Sequence, residues 1–163
     1  MMTELRKHQT IVVGVNTSAA SEAAVRWAAA QAARTHARLH AVHVIEHGRP
    51  EATPPHHDLQ LDLQTARQTV PGRVGGWVFR AGIEVDVAVS VVTGNVAEQL
   101  AREARDAALV VVGSPDSLHH SALPADLAHG CLCPVAMVGT FGDVTYLDVT
   151  SRPSTKGTSH ART

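Results

Sequence analysis

The stretch IVVGVNTS, residues 11–18, decides the fold of this chain. Its opening residues are apolar without polar alternation, a pattern typical of a strand that is covered on both faces. Ser18 precedes an alanine-rich segment and predicts a capped helix from about residue 19 to residue 36. Residues 39–45 return as a second strand, so this region predicts a βαβ unit with a right-handed crossover. The strand at 11–15 is therefore expected in the centre of a parallel sheet.

Four further strands are expected, the last of them an addition to a five-stranded sheet. Residues 83–91 alternate between apolar and polar side chains, which favours a third strand at an edge of the sheet. Residues 109–113 and 135–138 are continuously apolar and predict buried fourth and fifth strands. Residues 144–149 alternate enough to form an extra strand.

Helices are predicted between these strands. One begins near residue 58, one runs from the N-cap Asn95 to about residue 106, and a short one covers 124–129. In the first of them, Pro71-Gly72 and Gly75-Gly76 interrupt the apolar spacing. Because proline and glycine weaken a helix interior, we expect a break or kink there and a restart around Trp77.

The fifth strand is expected on the outer side of the sheet, where a uniformly apolar strand needs a cover. We therefore predict a homodimer through this strand, since a twofold partner is the simplest cover. The predicted dimer edge consists of Val135, Ala136, Met137 and Val138. The predicted organisation is an N-terminal extension at 1–7, one domain at 8–140, an extra strand at the dimer edge within 141–150, and a disordered tail at 151–163.

The composition favours one small domain without a polyanion-binding or membrane surface. The chain has 163 residues, 14 Lys plus Arg and 15 Asp plus Glu, for a formal net charge of −1. No apolar run approaches the roughly 20 residues of a membrane-spanning helix. Cys131 and Cys133 are too few for a disulfide framework, so we expect a cytoplasmic protein with no nucleic-acid or membrane partner.

Several common nucleotide and hydrolase motifs are absent from the sequence. No G-x-G-x-x-G follows the first strand, and neither a P-loop nor a G-x-S-x-G elbow occurs. The segments that are present, in this order and spacing, resemble the universal stress protein family over about residues 8–139. They are IVVGVNTS at 11–18, the alanines at 28–30, LHAVHV at 39–44, Gly94 before a capped helix, LVVVGS at 109–114 and CPV at 133–135.

The resemblance implies an α/β fold: an open five-stranded parallel sheet of order 3-2-1-4-5 with helices on both faces. This Rossmann-like architecture is similar to that of the adenine nucleotide alpha-hydrolases. It also implies dimerisation through the fifth strand. Many members of the family bind ATP or AMP through G-x2-G-x9-G-[ST] after the fourth strand, together with an acidic residue after the first.

This sequence departs from that nucleotide-binding pattern. Gly113 matches the first glycine, but Asp116 stands at the second position, Ser121-Ala122 at the final pair, and Asn16 at the acidic position. A carboxylate at 116 would repel a polyphosphate. If a ligand binds, the resemblance places it against Gly14, Asn16, Thr17, Val44, Gly113, Ser114, Asp116, Ser121 and Ala122.

One cluster combines residue types that bind soft metals: His119, His120, His129, Cys131 and Cys133. It lacks zinc-knuckle spacing, so we predict buried cysteines and solvated histidines rather than a metal site. No set of side chains typical of catalysis can be assembled, and no enzymatic activity is predicted.

The predicted function is that of a cytoplasmic, dimeric binding module of the stress response with a degenerate nucleotide-binding loop. Two alternatives stay open: a sensor that binds ATP or AMP, and a small nucleotide-hydrolysing or nucleotidyl-transferring enzyme.

Overall fold

The computed structural model describes residues 9–46, 59–114 and 123–147. Six strands form one sheet in the order β3-β2-β1-β4-β5-β6. The elements are, in chain order, β1 Thr10–Gly14, α1 Ala19–Thr35, β2 Arg38–Ile45, α2 Leu59–Arg80, β3 Val87–Thr93, α3 Val96–Glu103, β4 Leu109–Gly113, α4 Leu123–Gly130, β5 Val135–Val138 and β6 Val144–Leu147. The first five strands are parallel, and β6 is antiparallel to β5. The predicted order 3-2-1-4-5 is confirmed, and β6 extends it.

The central strands are buried on both faces, as their continuous apolar sequence predicts. In β1, Val13 faces the core shared with α1 and α2, whereas Val12 faces the core shared with α3 and α4. All three central residues of β1 and of β4 are buried. The helices lie on the two faces accordingly, so the ends of β1 and β4 meet between two packed layers.

Helix α1 begins and ends at residues that satisfy its free backbone groups. The Ser18 Oγ accepts a hydrogen bond from the Ser21 amide at 3.1 Å, and His36 ends the helix in the left-handed region with φ 58°. The His36 amide donates to the carbonyl of Ala32. Both boundaries agree with the sequence prediction.

The predicted break in the second helix is wrong, because α2 runs without interruption from Leu59 to Arg80. Pro71 cannot donate to the carbonyl of Arg67, but both residues lie on the exposed side of the helix, where solvent can reach that carbonyl. The other face carries an apolar row at helical spacing that continues across the proline: Ala66, Val70, Val74, Trp77 and Val78 are all buried. Burial of this row outweighs the poor helix propensity of the segment.

Strand β3 lies at the edge of the sheet as predicted, but it is shifted along the sequence. It covers Val87–Thr93 rather than 83–91. Its neighbour is β2, and their pairing begins with Leu39 opposite Val87. Because β2 itself begins at Arg38, residues 83–86 have almost no β2 residue to pair with.

The cover over β5 is the chain's own β6. Val138 pairs with Val144 and Val135 with Leu147, around a turn that contains Gly142 at φ 93°. The extra strand is thus confirmed at 144–147. The edge of β5 that we assigned to a second copy is already paired, so β5 offers no free edge while β6 is in place. The predicted extension at 1–7 and tail at 151–163 lie outside the described residues.

In the described part of the chain, no helix has an apolar stretch of the length needed to cross a bilayer.

Candidate functional site

A cavity of about 90 Å³ opens at the carboxyl ends of β1 and β4. In a sheet of this order the chain turns to opposite faces after these two neighbouring strands, which leaves a crevice where ligands of open α/β sheets bind. Among the predicted ligand residues, Gly14, Asn16, Val44 and Gly113 line it. The sequence reasoning missed the other lining residues: Val15, Val42, Val96, Leu100, Val112 and Leu123.

Two other predicted ligand residues that the structure describes, Thr17 and Ser114, do not line this cavity. Thr17 is exposed on the turn after β1, and Ser114 is half-buried at the end of β4. Asp116, Ser121 and Ala122 lie outside the described residues. Asn16 is therefore the one polar side chain among the described residues that line the cavity.

The turn after β1 is held by its own polar groups. The Asn16 Oδ1 accepts a hydrogen bond from the Ser18 amide at 2.8 Å, and the Asn16 amide donates to the Ser21 Oγ at 2.9 Å. Ser21 is a buried polar residue, so this second bond keeps its hydroxyl satisfied. The turn is thus rigid, and the amides of Ser18 and Ser21 are occupied by internal acceptors rather than open to an anion.

His43 supports the same turn from β2. Its Nδ1 lies 2.8 Å from the carbonyl oxygen of Val15, which can only accept, so Nδ1 carries the proton and donates. The bond ties the end of β1 to β2 directly behind the cavity.

Gly113, which matches the first glycine of the family motif, is required by packing. A Cβ at this position would lie 2.7 Å from the carbonyl carbon of Ala20, 2.8 Å from its oxygen and 2.9 Å from the Ser21 amide nitrogen. These are backbone atoms of the first turn of α1, which rests directly on β4. Gly14 packs less tightly, since its Cβ would lie 3.0 Å from a methyl group of Leu100.

Ser114 continues the sheet instead of facing a ligand. Its amide donates to the carbonyl of Val138 at 2.8 Å, which extends the pairing of β4 with β5. This amide is therefore not available to a phosphate oxygen.

The opposite wall is the start of α3. Gly94 has φ 137°, and its amide donates to the carbonyl of Ile45 at 3.0 Å. The Asn95 Oδ1 then caps the helix by accepting from the Glu98 amide at 2.9 Å, as the sequence predicts. This geometry turns Val96 and Leu100 toward the cavity. The result is a slot with apolar walls and one amide side chain, which suits a flat heteroaromatic ring with polar edges.

A separate polar cluster lies at the other end of β2, and the sequence reasoning did not find it. The His40 Nε2 is 2.8 Å from the Ser90 Oγ and 3.8 Å from Glu103 Oε1. Serine, histidine and acid resemble a catalytic triad in composition only. In a triad the acid holds Nδ1 while Nε2 faces the serine, whereas here both partners approach the same ring nitrogen.

The cysteines of the predicted soft-ligand cluster are buried free thiols. Burial, assisted by the neighbouring Cys133, raises the pKa of Cys131 to about 11. His129 bonds within α4, its Nδ1 lying 2.9 Å from the Ala125 carbonyl oxygen. Across residues 9–46, 59–114 and 123–147, no three His, Cys, Asp or Glu side chains converge on a metal position. His119 and His120 lie outside these ranges.

Proteins of known sequence are similar to this chain over most of its length. Universal stress proteins of two Mycobacterium tuberculosis strains are 28% identical over 141 residues, which is 84% of this chain and 51% of each relative. The chain thus spans about half the length of the curated relatives it matches.

Solved structures share the fold. A universal stress protein in complex with cAMP aligns with a TM-score of 0.62 at 24% identity, covering 82% of this chain and 98% of that one. A universal stress protein from Archaeoglobus fulgidus in complex with dAMP aligns with a TM-score of 0.60 at 20% identity, covering 80% and 97%. The profile of the universal stress protein family matches residues 7–139. This chain therefore belongs to the universal stress protein family.

Proposed function

We propose that this protein is a cytoplasmic, dimeric binding protein of the stress response whose cavity takes an adenine mononucleotide in preference to ATP. The observation that carries the proposal is the apolar slot at the carboxyl ends of β1 and β4, with Asn16 as its polar lining side chain. Two family members of the same fold are complexed with cAMP and with dAMP, ligands that each have one phosphate.

The slot supports binding of the base more than binding of a polyphosphate. Its volume of about 90 Å³ is well below the roughly 300 Å³ at the lower limit of ordinary ligand pockets, so only part of a nucleotide enters it. Val44 and Val96, which are both half-buried, offer apolar surface to a purine face. The Asn16 side chain can donate through Nδ2 to a ring nitrogen and can accept through Oδ1 from a ribose hydroxyl.

Three backbone amides of the described residues beside the cavity already have partners within the protein. The Ser114 amide is bonded to Val138, and the Ser18 and Ser21 amides are bonded within the turn. In the sequence, Asp116 stands where the family's phosphate motif has its second glycine, and a carboxylate is a poor match for a polyphosphate because the two repel each other. A single phosphate that points to solvent avoids most of that repulsion.

A binding role is favoured over turnover by the residues at the cavity. No histidine, carboxylate or lysine is among the described residues that line it, so those residues supply no general acid or base. The cytoplasmic location is favoured by Cys131 and Cys133, which are buried free thiols rather than a disulfide.

The decisive experiment measures binding of AMP, cAMP and ATP by isothermal titration calorimetry, with GMP as a control for the base. We expect binding of AMP or cAMP, weaker binding of ATP, and no phosphate release from ATP. Stoichiometric ATP in the purified protein, or ATP binding tighter than AMP, would contradict the preference. Phosphate release that depends on Asp116 would favour the enzyme alternative.

Two variants test where the ligand binds. Val96→Trp fills the slot and should abolish binding, whereas the matched control Val87→Trp adds the same ring on the far edge strand and should leave it unchanged. Asn16→Asp retains the acceptor for the Ser18 amide and adds a charged acceptor for ribose hydroxyls. It should tighten binding about tenfold, or roughly 1.4 kcal/mol, because a charged acceptor strengthens a hydrogen bond. An unchanged affinity in Asn16→Asp would remove Asn16 from the site.

A further inference from the structure

Strand β6 ends the sheet with an unpaired outer edge. Its inner edge pairs with β5, and β6 stands last in the strand order of the described residues. The Gly139 amide donates to the Asp143 carbonyl at 2.7 Å, which makes this a hydrogen-bonded pair of the antiparallel ladder. Because such pairs alternate with non-bonded ones, the backbone N–H and C=O groups of Val144 and Tyr146 point away from β5.

Strand β6 is short, four residues, but its own side chains give the edge no protection. Exposed strand edges are commonly guarded by lysine, proline, a bulge or an inward charge. Residues 144–147 read Val-Thr-Tyr-Leu, without charge, proline or glycine. The outward backbone groups thus form a template for another strand.

Aromatic residues, which are rare in this chain, gather beside the edge. The chain has two Trp, one Tyr and two Phe. Of these five, Tyr146 lies on β6, Phe141 lies in the turn before it, and the Trp27 ring packs edge-on against the Tyr146 ring at 6.2 Å and 67°. Tyr146 is still 58% exposed and Phe141 is 96% exposed. Aromatic residues are enriched at protein interfaces, and Trp27 holds Tyr146 in place before any partner binds.

We propose that β6 pairs antiparallel with β6 of a second copy of this chain, so that the two sheets become continuous across a twofold axis. This deepens the dimer in the proposed function and moves its interface from β5 to β6. Antiparallel pairing of one strand with itself is self-complementary, as a twofold interface requires. The β6 strand of a second copy therefore supplies the backbone donors and acceptors that this edge needs, and no other segment is required.

The alternation of side chains limits the register. Val144 and Tyr146 face the α1 side of the sheet, opposite Val138 and Ala136, while Thr145 and Leu147 face the other side. Residues that lie opposite each other in an antiparallel sheet have side chains on the same face. The twofold axis must therefore pair one β6 residue with the same residue of the second copy. Centred on Tyr146, it places Tyr146 opposite the partner's Tyr146. Centred on Thr145, it places Tyr146 opposite the partner's Val144.

The area involved predicts a reversible dimer. A fully buried aromatic side chain contributes about 150–250 Å², so the exposed 58% of Tyr146 adds only about 100 Å² per copy. With the other three strand residues the contact reaches several hundred Å², below the roughly 1,200 Å² of a standard stable interface. Dissociation in the micromolar range is the expected result.

Sedimentation velocity across the micromolar range tests the interface. The wild-type chain should pass from monomer to dimer with rising concentration. Tyr146→Lys places a charge on the edge and should raise the dimer dissociation constant at least about tenfold. Phe79→Lys is the matched control, because Phe79 is 82% exposed at the end of α2, away from β6; it should dimerise like wild type.

Val144→Pro gives an independent second test. It removes an outward N–H without removing a bond to β5, and it should also yield monomers with a circular dichroism spectrum like that of wild type. A wild-type monomer at every concentration, a dimer unaffected by Tyr146→Lys, or equal loss in Phe79→Lys would each overturn the proposal. Tyr146 does not line the nucleotide cavity, so titration of AMP into Tyr146→Lys separates failure of this interface from failure of the proposed ligand site.

Discussion

Replacement of Gly113 by alanine tests why this position is a glycine. The glycine could allow a phosphate to approach the backbone, or it could allow α1 to pack against β4. The added Cβ would lie 2.7–2.9 Å from three backbone atoms of Ala20 and Ser21. Ordinary contacts at a Cβ begin near 3.4 Å, so the first turn of α1 must move away from β4 by roughly half an ångström or more. These neighbours are backbone atoms, so a change of side-chain rotamer cannot relieve the contact.

The expected cost follows from that geometry. Overpacking a filled core costs about 1–3 kcal/mol, and a rigid backbone wall places Gly113→Ala in the upper part of that range. For a chain of this size each kcal/mol lowers Tm by about 2–4 °C, so we expect a fall of about 4–10 °C. Thermal and urea denaturation, followed by circular dichroism, measure it.

Gly75→Ala is the control, because a Cβ there meets nothing within 4 Å. Gly75 is exposed inside α2, where alanine is the better helix former, so this variant should gain about 0.5–1 kcal/mol. A Gly113→Ala protein that melts like wild type but no longer binds AMP would refute the packing explanation and support a phosphate role for Gly113.

Two further predictions concern the wall of the cavity and the thiols. Asn95→Ala removes the cap of α3 and should lower the free energy of unfolding by about 1 kcal/mol in urea, whereas Asn95→Ser should restore most of it. Because burial and the nearby Cys133 raise the pKa of Cys131 to about 11, the native thiol should react slowly with a disulfide reagent at neutral pH and fully once unfolded. The folded state holds this proton more tightly than the unfolded state, so the contribution of Cys131 to stability should be fully present below pH 9 and should be lost as the pH rises from 9.0 toward 11. Rapid labelling of the native protein at pH 7, or a stability that rises over that alkaline range, would show that the thiol is not held in its neutral form.

The sequence predicts the sheet well because its signals are local. The uninterrupted apolar runs at 11–15 and 109–113 are typical of strands covered on both faces, and the strands that they form occupy the centre of the sheet. The caps at Ser18 and Asn95 are also local, since each side chain bonds an amide three residues on. The continuity of α2 is not local, because the contacts that carry it past Pro71 come from other elements of the fold.

The candidate site was predictable in position but not in composition. The carboxyl ends of β1 and β4 follow from strand order alone, and Gly14, Asn16, Val44 and Gly113 line the cavity that opens there, while their role in binding stays a prediction. Leu100 and Val96 were missed because their apolar spacing on α3 is also that of ordinary core residues. Whether an apolar helix residue faces a cavity or a neighbour depends on the relative placement of three elements, which no short motif encodes.

Gly113 shows why resemblance to a motif predicts fold more securely than ligand. A glycine at the end of β4 satisfies the first position of the family's phosphate motif, yet here Ala20 and Ser21 leave no room for any other residue. The adjacent Ser114 amide, which a phosphate could use, is bonded to Val138. Both positions are thus explained by the packing of α1 on β4 and of β4 beside β5, before any ligand is considered. Among the described residues that line the cavity, the polar side chain is that of Asn16, at the position where the family has a carboxylate. The nature of the ligand therefore depends on Asn16 and the apolar walls, and the Asn16→Asp titration measures that dependence directly.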